Sequence, residues 1–230
     1  AEIVLNSIKN KKNIFVEKPL AINENELEEI KSTISNSNFN NHLAVGFNRR
    51  FSSHTIKMKS LLDSVKEPKT FIITVNAGSV DNDHWVHDYE IGGGRIIGEA
   101  CHHIDLMRFL AGTEICNVSA TKIKNSSSGV TEDKAAITLN FNCGSFGTIF
   151  YLANGSKSFP KERIEVFVDG KVAQIDNFRK LNGFGWNNFR GMRTLRQDKG
   201  QYNCIKEFIH SIEVGKPLIP LNEIFEVSSR

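Results

Sequence analysis

Hydrophobic and polar positions follow two different patterns along the chain, and the change falls near residue 50. Before it, short helical periods alternate with short β-rich runs. Ile3, Val4 and Ile8 have helical spacing, and residues 13–16 are a β-branched and aromatic run. Asn23 with Glu26 three positions on forms a capping-box pattern, opening a second helix whose face carries Leu27, Ile30 and Ile34. Residues 43–47 read as a second strand. Parallel strands need a helical crossover between them, so this order predicts the last two units of a parallel α/β sheet.

Past residue 50 the pattern predicts a helix to about Leu62, a strand over 70–77, a helix over 94–110 and then several strands in succession. Residues 135–141 and 145–152 flank Asn142, Cys143 and Gly144, and residues 164–168 and 171–175 flank Asp169-Gly170, a favoured hairpin dipeptide. This second region therefore reads as mainly antiparallel. Residues 177–201 are rich in Asn, Gly, Arg and aromatics without a period, which predicts a long loop, followed by a helix over 202–214.

The helix over 94–110 carries two stripes, the first of them expected to be buried. Ile97, Ala100, Ile104, Met107 and Ala111 form one, and Gly98, His102, Asp105 and Phe109 another on roughly the opposite side, so both faces are expected to be covered. Glycine inside a helix costs about 1 kcal/mol relative to alanine, and Gly98 one turn before His102 points to a need for space beside the imidazole.

Composition narrows the class. The 230 residues hold 29 basic and 26 acidic side chains, a net charge of +3, without the long basic run that tracks phosphates, so a nucleic-acid partner is not expected. No apolar run reaches the roughly 18 to 20 residues of a membrane helix, and the first residues lack the order of a signal peptide. The four cysteines are scattered with no C-x-x-C, which fits reduced thiols in the cytoplasm. The chain starts at Ala1 in what reads as the middle of a fold, and a fragment is the expectation.

Chemistry concentrates at strand ends and on one helix. Glu17, Lys18 and Pro19 follow the first strand, at the edge where open α/β sheets bind ligands. The plain alternative is a surface lysine before a loop proline. Asn48, Arg49 and Arg50 follow the second strand in the same way, and planar guanidinium donors suit carboxylate or phosphate; solvated junction charges are the competing reading. His84, His87, His102 and His103 lie close together in sequence, with Glu99 one turn from the last two. Adjacent helical histidines point about 100° apart and the His84 to His87 spacing fits no zinc motif, so no metal site is expected and polar contacts to a hydroxylated ligand are preferred.

VEKPL at 16–20, GFNRRF at 46–51 and GGGRIIGEACHHIDLMRFLAG at 92–112, in that order, resemble the family of glucose-fructose oxidoreductase, inositol dehydrogenase and MocA. HWVHD at 84–88 together with GGGRIIGEACH resembles one subgroup of it, KERIEVFVDG at 161–170 looks like the family's sheet hairpin, and residues 205–219 look like its late helix and the segment after it. The resemblance implies an α/β protein in which residues 1–50 are the C-terminal part of a Rossmann-like parallel sheet binding NAD or NADP. Residues 51–230 would then be an α+β substrate domain with a mainly antiparallel open sheet that also serves subunit association. It implies a catalytic Lys18 and His102, a cofactor loop of Glu17, Lys18 and Pro19 with Asn48 and Arg49, and substrate contacts from His84, His87, Asp88, Glu99 and Arg50. The substrate is expected to be a sugar, an inositol or a nucleotide sugar, and the protein a homo-oligomer.

Two departures stand out. No G-x-G-x-x-G occurs in the 230 residues, so the chain by itself is expected to bind dinucleotide weakly or not at all. The family's aspartate four residues before the histidine is Gly98 here, and Glu99 beside it points about 100° away on a regular helix. Two other classes compete with a dehydrogenase: a non-catalytic sugar-binding or regulatory module of the same fold, and a histidine-ligated metal hydrolase.

Overall fold

The computed structural model describes residues 1–81, 83–124 and 133–230. The chain opens with α1 (Glu2–Lys9), β1 (Ile14–Val16), α2 (Glu24–Asn36) and β2 (Leu43–Val45), and β1 and β2 pair in parallel. The Asn23 side chain accepts from the Glu26 amide while the Glu26 carboxylate accepts from the Ile22 amide, a reciprocal cap close to the predicted one. Ile8, Leu27, Ile30, Leu43, Val45 and Phe47 are all buried, so helices and strands share one apolar layer.

A 3₁₀ turn at Asn48–Phe51 leads into α3 (Ser53–Asp63) and β3 (Thr70–Asn76). A second 3₁₀ turn at Trp85–His87 precedes a helix that starts with π-type winding at Ile96–Ala100 and continues as α4 (Cys101–Ala111). Gly112 closes α4 in the left-handed region at φ 73°. Strands β4 (Ile115–Lys122), β5 (Lys134–Phe141), β6 (Phe146–Leu152), β7 (Glu162–Val168), β8 (Lys171–Asp176), β9 (Lys180–Phe184) and β10 (Gly191–Arg193) follow, and α5 (Gln201–Val214) and α6 (Leu221–Ser228) end the chain.

The eight strands form one sheet in the order β10-β9-β8-β7-β3-β6-β5-β4, antiparallel throughout except for the parallel pair of β3 with β6. Its inner face, with Phe71, Ile73, Val75, Ile149, Ile164, Val166 and Ile175, is buried. The alternate positions Phe146, Phe150, Phe167 and Phe184 are exposed on the other face.

The antiparallel expectation is met, and both predicted hairpins form, with Asp169 and Gly170 at positive φ in the β7–β8 turn. The long loop predicted over 177–201 is corrected: β9 and β10 lie inside it. Their alternation is hidden because Gly183 stands at an inward position where a side chain would strike Phe189. Two further elements, β4 and α6, were not predicted. The face of residues 94–110 expected to be wholly buried is also corrected at Ile97, which is 41% exposed, while Ala100, Ile104 and Met107 are buried as expected.

Candidate active site

Lys18 leaves the end of β1 half-buried, and its Nζ donates to the Gly98 carbonyl oxygen at 2.6 Å. With the Arg50–Asp105 pair, this bond joins the first region of the chain to the helix that carries the histidines. The Lys18–Pro19 peptide is cis. Glu17 is exposed, with its carboxyl oxygen 3.0 Å from where a Cβ on Gly46 would sit, so the two strand ends are packed edge to edge.

His102 lies on the turn after Gly98 and is 7% exposed. Its Nδ1 is buried with no hydrogen-bond partner among the described residues. Burial, with Arg49, His103 and Lys18 nearby, drives its pKa far below the ordinary histidine value against an opposing pull from Glu162. The ring is therefore a neutral imidazole at pH 7. His103 is buried too and donates from Nε2 to Glu162 Oε1 at 3.0 Å; burial keeps it neutral despite that partner.

Glu162 is the anchor behind both rings. It is fully buried at the head of β7, where it pairs with Arg49 Nε at 2.6 Å and Lys199 Nζ at 2.5 Å besides His103. Burial pushes its carboxyl up, but the His103 bond and the Arg49 and Lys199 charges outweigh that and hold it well below the usual range.

Glu99 turns away from His102 toward the sheet. Tyr151 Oη donates to its Oε2 at 2.8 Å, Arg95 lies 3.8 Å and Lys161 3.9 Å away, and the side chain keeps 30% of its exposure. Burial raises its pKa, yet the Tyr151 bond and the Lys161, Arg95 and Lys18 charges prevail and lower it. Glu99 is thus a part-open carboxylate whose charge is held, and it does not bond to His102.

The other expected residues divide. Arg50 is corrected as a substrate ligand: it is 5% exposed, with Nε 2.8 Å from both Asp105 carboxyl oxygens and Nη1 2.8 Å from Glu223, inside the junction of α4 and α6. Arg49 is likewise buried on Glu162, and Asn48 donates to the Lys199 carbonyl at 2.7 Å, so both back the site wall instead of facing outward. A strand end places a residue at the right edge, but only the following 3₁₀ turn decides which way its side chain goes.

His84 and Asp88 are exposed and cap their own turn, His84 Nδ1 accepting from the Val86 amide and Asp88 from the Glu90 amide. His87 Nε2 is buried without a hydrogen-bond partner among the described residues. This turn packs on Gly92, where a Cβ would come within 2.9 Å of the Trp85 oxygen, and the Gly92 oxygen is 3.7 Å from the Cβ position of Gly98. The turn thus stands one residue layer from Gly98, and among the described residues no hydrogen bond ties it to Lys18 or His102. Gly98 itself has room for a side chain, so among the described residues no atom accounts for the glycine.

Tyr151, Lys161, Glu162 and Lys199 were missed by sequence reasoning. Glu162 had a signal: it is in phase with the inward Ile164, Val166 and Val168, and a charge at a core-facing strand position demands partners. Among the described residues no group of three or more His, Cys, Asp or Glu is disposed to hold a metal, and no helix is long and apolar enough to cross a membrane.

A lysine at a parallel strand end meets a histidine-bearing helix that packs with a mainly antiparallel eight-stranded sheet, an α/β arrangement. The chain belongs to the Gfo/Idh/MocA oxidoreductase family: residues 57–220 match the family model described as "Oxidoreductase family, C-terminal alpha/beta domain". Over 185 residues it is 28% identical to the uncharacterized oxidoreductase YrbE of Bacillus subtilis, covering 78% of this chain and 52% of that protein. It is 26% identical over 229 residues to a myo-inositol 2-dehydrogenase of Thermotoga maritima, covering 94% and 67%. The chain thus spans about half the length of YrbE and two-thirds of the inositol enzyme. Among solved structures, levoglucosan dehydrogenase in complex with NADH superposes with a TM-score of 0.82 at 19% identity, covering 99% of this chain and 72% of that one.

Proposed function

We propose that the full-length protein is a nicotinamide-dependent dehydrogenase that oxidises a carbinol, or reduces the matching carbonyl, of a sugar, inositol or nucleotide sugar. In this reading residues 1–50 close a dinucleotide-binding domain and residues 51–230 form the substrate domain. The observation that carries it is the meeting of Lys18 with the Gly98–His102 turn. The inositol dehydrogenase relatives from Thermotoga maritima and Rhizobium meliloti, which align over nearly the whole chain, support it.

The residues fit the nicotinamide end of such a cofactor. A half-buried ammonium stands at the open edge of the parallel strands, and a buried imidazole with an unpartnered nitrogen lies one turn beyond the carbonyl it holds. Glu17, Lys18 and Pro19 would border the ring, with Asn48 and Arg49 bracing them from behind. Bound there, the nicotinamide supplies hydride chemistry at C4. NAD and NADP are both compatible with these residues.

The proton is the protein's concern. Lys18, oriented by the Gly98 carbonyl, donates a charge-assisted hydrogen bond to the substrate oxygen and stabilises it as its proton leaves. His102, neutral at pH 7, takes that proton; its Nδ1 is sealed, which leaves Nε2 to meet the hydroxyl. His84, His87, Asp88 and Glu99 border the substrate's remaining hydroxyls. The exposed row of Phe146, Phe167 and Phe184, aligned across the sheet through Thr70 and Val172, is the surface through which copies associate.

Titration of the full-length protein with NADH and NADPH, followed by nicotinamide fluorescence, tests the reading, together with reduction of NAD or NADP over a panel of sugars and inositols. Saturable binding and turnover of at least one polyol are expected. A protein that binds sugars but neither nucleotide is the non-catalytic module instead.

A further inference from the structure

At both carboxylates of the site the cations outnumber the anion. Glu162 takes Arg49 and Lys199 while its third partner, His103, is neutral. Glu99 has Arg95, Lys161 and Lys18 acting on it, none closer than 3.8 Å among its ion pairs, and Arg95 is shared with Asp133 at 3.6 Å. Among the described residues no carboxylate lies within 4.0 Å of Lys18 Nζ, which rests on a neutral carbonyl. Half-buried cations in excess of their partners attract an anion from outside the chain.

Of these cations Lys161 is the one positioned to give its charge away. Its side chain is 44% exposed and its Glu99 contact is loose at 3.9 Å, yet its backbone is fixed, its carbonyl accepting from the Asn76 amide at 2.7 Å. Residues 98 and 99 are neighbours, so Lys18 on Gly98 and Lys161 on Glu99 place two ammonium groups at one helical turn. We propose that the ligand of this site is an anionic sugar, whose carboxylate or phosphate is taken by Lys161 while a ring hydroxyl lies at Lys18 and His102. Only the oxidation of that hydroxyl rests on the dehydrogenase reading; the charge preference does not. Arg95, over the Tyr151 ring and bonded to the Gly78 carbonyl, stiffens the wall and keeps Glu99 turned to the sheet.

The test is calorimetric titration of the full-length protein with D-glucuronate, D-glucose 6-phosphate and D-glucose, at low and high salt. One of the two anions is expected to bind at least about tenfold more tightly than glucose at low salt, and which one does so identifies carboxylate or phosphate. The advantage should shrink with salt, vanish in Lys161→Gln and persist in Lys161→Arg, with NADH affinity unchanged. Glucose binding as well as both anions, no binding of either anion, or an advantage that survives Lys161→Gln overturns the proposal. So does a Lys161→Gln variant that weakens NADH by the same factor, since the charge would then serve the cofactor. Oxidation of neutral polyols without preference for anions defeats this proposal and leaves the dehydrogenase reading intact. Tight anionic-sugar binding with no NAD or NADP reduction does the reverse.

Discussion

Glu162 and Glu99 are two carboxylates near the same pair of histidines, Glu162 bonded to His103 and Glu99 one turn before it, and their surroundings differ. Glu162 is fully buried and meets three partners between 2.5 and 3.0 Å, drawn from the turn after β2, from α4 and from the segment before α5. Glu99 keeps a third of its exposure, takes one hydroxyl at 2.8 Å and holds its cations no closer than 3.8 Å. The sealed carboxylate is spent on holding the fold around His102. The open one still has lone pairs and neighbouring cations to offer a ligand. Contact distance and exposure, more than charge, separate the two carboxylates.

The largest expected effect breaks the sealed side. Glu162→Leu strands Arg49 and Lys199 in the interior and should cost about 3–5 kcal/mol of stability, read from the shift in urea midpoint at constant slope. A loss below about 1 kcal/mol would mean that solvent reaches the cluster and that the contrast with Glu99 is false.

Acid should act on the same side. The folded-state pKa values of His102 and His103 are depressed, so the stability they contribute is present above the ordinary histidine value near 6.5 and is lost as pH falls below it. Glu162, also depressed, adds a loss that begins near pH 4.3. Asp105 opposes them: burial raises it to about 6, so its contribution favours acid and declines as pH rises through 6. The two histidines outweigh it between pH 7 and 5, and the melting temperature should drop across that interval. His103→Gln, which keeps a donor to Glu162 but cannot be protonated, should flatten the drop; an unchanged slope would remove His103 from the account.

The open side should respond weakly in stability. Glu99→Gln keeps a partner for Tyr151 and is expected to change stability by less than about 1 kcal/mol, while ligand affinity changes by more than that. Equal changes in both would make Glu99 structural like Glu162. Smallest of all, Gly98→Ala meets only the Gly92 oxygen at 3.7 Å and should gain up to about 1 kcal/mol from helix propensity, measured by thermal unfolding. If it also lowers substrate affinity, the space beside Lys18 is reserved for the ligand.

This division between sealed and open groups was only partly legible in the sequence. Short-range patterns were readable: the cap at Asn23, the Asp169-Gly170 hairpin and the alternation of β5 to β8 each depend on neighbours along the chain. The meeting of Lys18 with Gly98 joins residues 80 positions apart; the family resemblance suggested shared roles for Lys18 and His102 but not this contact. Glu162 and Arg49 are 113 positions apart, which periodicity cannot reveal. Arg50 was misread for the same reason, since its partners Asp105 and Glu223 lie on helices docked from elsewhere. The π-type winding at Ile96–Ala100 changes the direction of each side chain in that turn, so angular arguments from a regular helix did not apply to Glu99.

Lys18 and His102 are proposed to handle the proton of a reacting hydroxyl at the junction of the two regions. Single-turnover reduction of NAD or NADP by the full-length protein, with whichever sugar it oxidises, compared with Lys18→Met and His102→Asn, tests it most directly. Each variant should be slowed by about 10² to 10⁴ while NADH affinity, read by fluorescence, stays within a few-fold of the parent. Unchanged rates in both variants, or rates lost only in step with NADH affinity, would contradict it.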